Sequence, residues 1–369
     1  MRSGRLAVRC STLTKTEEVA LPVSQDNPFR GKGLPDQTHF PVSSAQAVGA
    51  LLALCPVYQR TPVIDAAAIA ADLGIARLCI KDERQRMGLG SFKALGAAYA
   101  IAHDASEVVQ GDHWNEALLD RTYVTASAGN HGLSVAAGAR VFGAQAVIFL
   151  SQTVPDAFAS RLRAAGARVV RAGDTYEASM EAALQAAESN GWTLLSDSSW
   201  PGYTEMPTRV MEGYLQLVAE VVAQMDAPPS HILLQAGVGG LAAAVAAKAR
   251  VAWGDAPRII VVEPDLAPAL FDSIRAGQLV TSQGGVSDMG RLDCKTPSMV
   301  ALAGLARDAD QFVTITEKEA AQGVAALARH GLATTASGGA GLAALIAGVP
   351  GIGPDAHVLA ILSEGPEDA

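Results

Sequence analysis

A lysine lies where a glycine-rich stretch passes into an alanine-rich one. The sequence reads GLGSFKALGA over residues 88–97, and Phe92, Ala94 and Leu95 make the surroundings of Lys93 apolar. Burial disfavours the ammonium form, so we expect the pKa of Lys93 to be lowered. A neutral lysine amine forms Schiff bases with carbonyl compounds. Lys93 is therefore the first candidate catalytic residue, and the alternative is a solvated charge at a helix end.

A second candidate site follows a predicted strand at 123–126. The sequence TASAGNHG at 125–132 carries small residues where a helix is expected to begin. Such residues leave backbone N–H groups open to an anion, and Ser127 adds a hydroxyl group. The turn is suited to bind a substrate carboxylate. The alternative is an ordinary turn, capped by Ser127 and Asn130, in which His131 only packs.

A third candidate site has the sequence QAGVGGL at 235–241, again between a strand and a helix. Glycines let the backbone approach a phosphate, and the helix N-terminus supplies N–H donors. The same residues match a dinucleotide fingerprint through Gly237, Gly239 and Ala242, with Glu263 placed to bind a ribose. The sequence therefore allows two kinds of cofactor at this loop, which are NAD and another cofactor that carries a phosphate group.

Pyridoxal 5′-phosphate requires a lysine, a phosphate cradle, a partner for the ring nitrogen and a carboxylate-binding turn. Ser363, in the sequence ILSEG at 361–365, ends a late predicted strand and offers a hydroxyl group for the ring nitrogen. A plain serine at a strand end is the alternative. A dinucleotide leaves Lys93 and the Asn130 turn without a role, so the sequence favours pyridoxal phosphate.

Short β-branched runs alternate with alanine-rich runs, which predicts an α/β fold with mostly parallel sheets flanked by helices. The predicted strands are 78–81, 123–126, 146–150, 168–171, 192–195, 231–235, 258–263, 312–315 and 358–362. The predicted helices are 94–103, 131–142, 156–165, 176–190, 205–224, 241–252, 317–330 and 341–347, with a further alanine-rich helical run at 66–71. The segment DSSWPGYTEMP at 197–207 is the expected boundary between two lobes.

Composition limits the classes of partner. The 369 residues include 28 Lys and Arg against 37 Asp and Glu, a net charge of −9, which argues against nucleic acid or an anionic membrane as partner. With 49% hydrophobic and 5% aromatic residues and 36 glycines, disorder and all-β folds are disfavoured. No apolar run is long enough to span a membrane. The basic segment 1–15 is expected to be a frayed or docked arm, and the protein to be cytoplasmic.

The four cysteines, at 10, 55, 79 and 294, have no C-x-x-C spacing. We therefore expect buried free thiols and neither a disulfide framework nor a zinc site. No other spacing of metal-ligating residues indicates a bound metal.

Taken in order, the motifs resemble those of fold-type II pyridoxal phosphate enzymes, the threonine dehydratase and tryptophan synthase β group. They are YQRTPV at 58–63, KDE at 81–83, SFKALG at 91–96, AGNHG at 128–132, GVGGL at 237–241 and VEP at 262–264. Within that group the chain most resembles the diaminopropionate ammonia-lyases, because of LSDSSWPGYTEMPTRVMEGY at 195–214. The resemblance runs from about residue 55 to the end.

The resemblance implies a role for each matching position. Lys93 would form the Schiff base with the cofactor and move the Cα proton, Asn130 would contact the cofactor 3′-oxygen, and Ser363 would face the ring nitrogen. The phosphate would be lined by Gly237, Val238, Gly239, Gly240 and Leu241. The substrate carboxylate would be bound by Ser127, Gly129, Asn130 and His131.

The resemblance also implies the architecture: two open, twisted, mostly parallel sheets with the site in the cleft between the lobes. Residues 1–92 would form an N-terminal arm and part of a large cofactor domain, 93–204 a small domain, and 205–369 the remainder of the large domain. A homodimer is expected by the same likeness.

One position departs from the ammonia-lyase pattern. The acid that usually precedes GNHG, a second base that widens stereochemical choice, is Ala128 here, whereas the second family acid is matched by Asp197. Asp197 is the second candidate catalytic residue, placed to protonate or position the leaving group, and a turn aspartate is the alternative. The expected reaction is β-elimination of a small amino acid, either 2,3-diaminopropionate or a β-hydroxy amino acid, to a 2-oxo acid and ammonia. The alternatives are β-replacement and, from another class, dinucleotide binding.

Overall fold

Eleven strands form two separate sheets in the computed structural model, which describes residues 21–35 and 37–366. The strands are β1 (Val23–Asp26), β2 (Val63–Asp65), β3 (Arg77–Asp82), β4 (Thr122–Ala126), β5 (Gln145–Leu150), β6 (Arg168–Arg171), β7 (Thr193–Leu194), β8 (His231–Gln235), β9 (Arg258–Pro264), β10 (Gln311–Ile315) and β11 (His357–Leu362). The large sheet has the order β1-β10-β9-β8-β11-β3-β2 and the small sheet β6-β5-β4-β7. The expected α/β fold with two mostly parallel sheets is confirmed.

Helices cover both sheets. They are α1 (Gln46–Leu52), α2 (Ala67–Leu73), α3 (Lys93–Val108), α4 (Asn130–Val141), α5 (Asp156–Ala164), α6 (Tyr176–Asn190), α7 (Glu205–Gln224), α8 (Gly240–Trp253), α9 (Ala269–Ala276), α10 (Met299–Asp308), α11 (Glu317–Arg329) and α12 (Ala340–Ala347). Among residues 21–35 and 37–366, no helix has both the length and the hydropathy of a membrane span.

The central strands of the large sheet are parallel and buried on both faces. Strands β3, β11, β8, β9 and β10 run parallel to one another, whereas β1 and β2 pair antiparallel at the two edges. Their apolar runs, such as Ile259–Val262 and Val358–Leu362, are fully buried, as expected for strands between two helical layers. The carboxyl ends of parallel strands meet at one edge of their sheet. The three turns that carry the sequence motifs follow β4, β8 and β11, so each lies at such an edge.

Helices α3 and α7 cross at two glycines. A Cβ atom on Gly213 would lie 2.4 Å from the carbonyl oxygen of Leu95, and one on Gly96 would lie 2.6 Å from Cε1 of Tyr214. Such distances leave no room for a methyl group, so only glycine allows this approach. The crossing fixes α7 against the first two turns of the helix that begins with Lys93.

All nine predicted strands are present, and the predicted helices overlap observed ones. The sequence analysis missed β1, β2, α1, α9 and α10. The two missed strands have 4 and 3 residues and lie at sheet edges, where the pairing partner rather than the local sequence decides the conformation. The expectations for the segment 1–15 and for Cys10 concern residues outside those described. Of the other cysteines, Cys79 is buried and Cys55 and Cys294 are partly buried, and all three are free thiols.

Candidate active site

The amine of Lys93 is bonded to the carboxylate of Asp197, the other candidate catalytic residue. Lys93 is the first residue of α3, and Asp197 lies in the loop that follows β7. Their Nζ and Oδ2 atoms form a direct hydrogen-bonded ion pair, with side chains 24% and 18% exposed. The fold therefore joins the two residues at a place that solvent still reaches.

The expected lowering of the Lys93 pKa is wrong for this structure. Burial does favour the neutral amine, but the facing carboxylate of Asp197 outweighs it and raises the pKa of Lys93 above its usual value. Burial likewise opposes ionisation of Asp197, yet the Lys93 ammonium holds the pKa of that carboxyl well below its usual range. The apolar neighbours of the lysine are visible in the sequence, whereas its pairing with Asp197 depends on the fold.

Hydrogen bonds on both sides hold the loop that carries Asp197. The Tyr203 hydroxyl donates to the Leu194 carbonyl (2.8 Å) and accepts from the Ser196 amide (3.1 Å). The Ser199 amide donates to the Ser298 hydroxyl oxygen (3.1 Å), at the start of α10. These hydrogen bonds connect the predicted boundary segment to β7 and to the start of α10. They hold Asp197 in a defined position.

The predicted carboxylate-binding turn lies between β4 and α4. The Ser127 hydroxyl oxygen accepts from the amides of Gly129 (3.2 Å) and Gly132 (3.0 Å), so it caps the first turn of the helix. His131 is buried, and its Nε2 lies 2.8 Å from the Leu195 carbonyl oxygen, which can only accept, so Nε2 carries the proton. Burial and the nearby Lys93 lower the pKa of His131. This imidazole is neutral.

The Asn130 side chain contacts a glutamate that the sequence analysis did not single out. Its Nδ2 donates to Oε2 of Glu364 over 2.5 Å. Glu364 also accepts a hydrogen bond from Thr335 and pairs with Arg291 over 3.1 Å. An amide nitrogen carries two hydrogens, so Asn130 retains one donor for a ligand. A Cβ atom on Gly129 of the turn would lie 4.0 Å from Nε of Arg291.

The predicted phosphate cradle joins β8 to α8. Gly239 has φ +97°, a conformation that favours glycine, and Gly240 begins the helix. A Cβ atom on Gly237 would lie 3.1 Å from the Arg291 carbonyl oxygen and from Sγ of Cys294. Val238 accepts a backbone hydrogen bond from Ser298 (3.0 Å). The loop presents bare backbone with Leu241 buried behind it, which suits an anionic group at the helix N-terminus.

Ser363 lies beside the segment that carries the candidate lysine. Its carbonyl accepts from the Phe92 amide (3.1 Å), and Ser91 and Glu364 form an antiparallel bridge. The side chain of Ser363 is buried at the end of β11. The fold therefore brings together all four parts that the sequence analysis required.

Glu263 has an internal role that conflicts with ribose binding. Its two carboxylate oxygens accept from the amides of Leu270 and Phe271, each over 2.7 Å, at the start of α9. The residue is fully buried, and burial raises its pKa to about 8. A carboxylate engaged in this way is not available to a dinucleotide, so the dinucleotide interpretation loses its acid.

A buried ionic cluster lies below the Lys93 segment. Arg86 pairs with Glu83 (2.7 Å) and with Glu220 of α7 (2.7 Å), and Lys81 pairs with Glu220 (2.6 Å). All four side chains are essentially unexposed. Because the two cations balance the two carboxylates, the cluster ties α7 to the residues just before the glycine-rich stretch.

Two buried polar atoms beside the ion pair have no hydrogen-bond partner in the described part of the chain. They are Nδ1 of His131 and the hydroxyl of Tyr214, on α7. Buried polar groups are nearly always paired, so unpaired ones at a cleft indicate the place of a polar ligand. These two atoms, the glycine-rich cradle and the accessible lysine amine together fit one kind of ligand. Such a ligand carries an anionic group and a group that reacts with amines. Pyridoxal phosphate has both.

Comparisons with known proteins agree with pyridoxal phosphate as the cofactor. Residues 54–364 match the family described as pyridoxal-phosphate dependent enzyme. The chain is 32% identical over 283 residues to diaminopropionate ammonia-lyase of Escherichia coli K12, which covers 73% of this chain and 71% of that enzyme. It is 30% identical over 227 residues to the mouse L-serine dehydratase/L-threonine deaminase, covering 61% of this chain and 63% of that enzyme. The crystal structure of the E. coli diaminopropionate ammonia-lyase in complex with D-serine superposes with a TM-score of 0.84, at 30% identity and 94% coverage of each chain.

Proposed function

The chain belongs to the family of pyridoxal-phosphate dependent enzymes, and from that premise we propose that its substrate is a small amino acid with a cationic β-amino group, such as 2,3-diaminopropionate. The enzyme is an amino acid ammonia-lyase that uses pyridoxal 5′-phosphate for β-elimination. The observation that carries the substrate proposal is the ion pair of Lys93 and Asp197.

When bound, the cofactor supplies an aldehyde that reacts with amines and a ring that accepts the electrons released as Cα loses its proton. The residues of this chain bind and orient the reactants around it. The backbone of 237–241 and the N-terminus of α8 favour its phosphate. The remaining Nδ2 hydrogen of Asn130 suits its 3′-oxygen, and Ser363 suits its ring nitrogen.

The substrate carboxylate is bound at the start of α4. Backbone amides from Gly129 to His131 and the helix N-terminus attract an anion there, and the Ser127 hydroxyl can turn its hydrogen outward. Arg291 lies close to this turn, with its charge balanced by Glu364. This site orients Cα and its proton toward the Lys93 amine, which removes that proton as the base.

Charge balance at Asp197 favours a cationic substrate. In the structure the carboxylate is balanced by the Lys93 ammonium. When Lys93 acts as the base its amine is uncharged, and a largely buried carboxylate then needs another cation. A β-ammonium group supplies that charge, and a β-hydroxyl group does not. Asp197 would hold the β-ammonium group and orient it as the leaving group.

A β-hydroxy amino acid is the second candidate substrate, and Ala128 is the observation in its favour. The carboxylate that usually precedes GNHG in the diaminopropionate ammonia-lyases is replaced by an exposed methyl group. The turn therefore has the form SAGNH, as in the dehydratases of hydroxy amino acids. Serine, threonine and phenylserine are the members of this class to test.

A substrate panel tests the proposal. The purified holoenzyme is offered both enantiomers of diaminopropionate, serine, threonine and phenylserine, and ammonia and 2-oxo acid are measured. We expect diaminopropionate to have the highest kcat/KM. A higher value for a hydroxy amino acid would overturn the cationic substrate. A new amino acid formed on addition of a thiol, with no 2-oxo acid, would indicate β-replacement instead.

Three properties of the working enzyme are further proposals. A small domain, residues 93–204, is inserted between two parts of a large domain, 1–92 and 205–369; the four-stranded sheet, which lies wholly within 122–194, supports this division. A homodimer is proposed by likeness to the family and is tested by light scattering. A cytoplasmic location is supported by the free thiols of Cys55, Cys79 and Cys294 and is tested by cell fractionation.

A further inference from the structure

The hydroxyl of Tyr214 is buried without a partner inside the described chain. The side chain is 1% exposed, and its oxygen is among the few buried polar atoms that lack a hydrogen bond. A buried tyrosine hydroxyl normally finds a partner, because leaving it unpaired destabilises the folded protein. Lys93 and Asp197 are the charged groups that act on Tyr214, so its side chain lies near the ion pair.

The ring of Tyr214 cannot turn away from this position. On one side lies Gly96 of α3, where a Cβ would be 2.6 Å from Cε1 and 2.9 Å from Cζ. The Phe92 ring packs edge-to-face against it, with centroids 4.9 Å apart. The hydroxyl is therefore fixed before any ligand binds, as a preorganised donor should be.

The other edge of the ring lies against the start of the phosphate cradle. A Cβ on Gly240, the first residue of α8, would be 3.8 Å from Cε2 of Tyr214. The Tyr214 ring therefore packs between α3 and the first residue of α8. Burial raises the pKa of Tyr214, so the hydroxyl keeps its hydrogen and acts as a donor.

We propose that the Tyr214 hydroxyl donates a hydrogen bond to the phosphate group of the bound cofactor. A phosphate ester is an acceptor at all its free oxygens, and it is the part of the cofactor that the cradle beside Gly240 attracts. The hydroxyl, which belongs to α7, adds a side-chain donor to the backbone donors of residues 237–241. This inference rests on the proposed function only in that pyridoxal phosphate is the cofactor.

Tyr214→Phe tests the inference, with Tyr123→Phe as the matched control. Tyr123 is also fully buried, but its hydroxyl donates to Asp104 (2.7 Å), 11 residues or about 16 Å along α3 from Lys93. Cofactor-free protein is titrated with pyridoxal phosphate and with pyridoxal, and its thermal unfolding is recorded. Each readout is independent of turnover.

We expect Tyr214→Phe to weaken pyridoxal phosphate binding by about 10- to 100-fold, as for loss of a hydrogen bond to a charged group. Its affinity for pyridoxal, which lacks the phosphate, should equal that of the wild type. Its cofactor-free form should unfold at the same or a higher temperature, since an unpaired hydroxyl is removed. Tyr123→Phe should show the opposite pattern: unchanged cofactor affinity and a lower unfolding temperature.

Two results would overturn the inference. Equal weakening of pyridoxal and pyridoxal phosphate binding would assign the hydroxyl to another part of the ligand. A destabilised cofactor-free Tyr214→Phe protein would mean that the hydroxyl has a partner within the chain. If the wild type does not bind pyridoxal phosphate at all, the assigned cofactor itself is wrong. Failure of this inference and failure of the proposed function therefore give different results.

Discussion

The ammonium group of Lys93 is paired with the carboxylate of Asp197, 104 positions later in the chain. One residue begins α3 and the other follows the shortest strand of the small sheet. Each residue shifts the pKa of the other in the direction that favours its charged form. The pair holds the amine of a partly buried lysine in a defined position. Asp197 is therefore the acid group to examine with the substrate.

Replacement of Lys93 should abolish both catalysis and covalent attachment of the cofactor. In Lys93→Ala we expect no measurable ammonia release and loss of the visible absorption of the lysine-bound cofactor, because the reactive amine is gone. Lys318→Ala, which removes an exposed lysine on α11, is the control and should keep both. An unchanged spectrum and unchanged activity in Lys93→Ala would refute the assignment of the catalytic lysine.

Replacement of Asp197 should discriminate between the two substrate classes. In Asp197→Asn we expect kcat/KM for diaminopropionate to fall by about 10²–10⁴, with KM rising, because the β-ammonium group loses its counter-charge. The effect on serine should be smaller by tenfold or more. Asp174→Asn, at an exposed position, is the control. Equal losses for both substrates would remove the charge-balance argument.

The alanine at 128 predicts stereochemical preference. With Lys93 as the base and no carboxylate at position 128, we expect the wild type to favour one Cα configuration of its substrate by at least tenfold. Ala128→Asp should reduce that ratio by adding a carboxylate, whereas Ala128→Asn, of equal size and without a base, should leave it unchanged. Initial rates with pure enantiomers measure it. If the wild type turns over both enantiomers equally, the prediction is wrong.

The cradle glycine Gly239 should be required for cofactor binding. Alanine there must adopt φ +97° and places its Cβ 3.1 Å from Cδ1 of Leu270 and 3.2 Å from Cβ of Ala301. We expect Gly239→Ala to weaken pyridoxal phosphate binding by at least tenfold, because the first turn of α8 has to move. Gly353→Ala, with no atom within 4 Å of the new methyl group, is the control. Cofactor titration with unaltered affinity would contradict the role of the cradle.

The buried cluster around Glu220 predicts a pH-dependent stability. Burial opposes its ionisation, but Arg86 and Lys81 outweigh burial and lower the pKa of Glu220 below 4.5. A carboxyl whose pKa is lowered on folding stabilises the protein above its unfolded-state pKa, and this contribution is lost on acidification. We expect Glu220→Gln to cost about 3–5 kcal/mol at pH 7, because two buried cations lose their counter-charge.

Urea unfolding at pH 7 and at pH 4 measures this effect. The wild type should lose part of its stability between the two values, and the Glu220→Gln protein should lose less. Glu188→Gln, at an exposed site on α6, should behave as the wild type does. Identical acid sensitivity of wild type and Glu220→Gln would show that the cluster does not couple folding to pH.

The parts of the site that were predictable are local in the chain. A strand, a turn of small residues and a helix N-terminus make an anion site from backbone groups within about ten residues, so QAGVGGL at 235–241 and TASAGNHG at 125–132 carry their own signal. Lys93 was identifiable for the same reason. The central strands were identifiable because burial on both faces requires continuous apolar runs.

What the sequence alone determined, then, is the α/β alternation, the two candidate anion-binding turns and the candidate catalytic lysine, each encoded in a short stretch. The tertiary structure alone decided which distant side chains complete the site: Asp197 against Lys93, Glu364 against Asn130, and Tyr214 against the cradle. It also reversed the expected direction of the Lys93 pKa. The physical reason is that side-chain electrostatics depends on distance in space, which is set by the packing of helices and sheets and is not recorded in any local pattern.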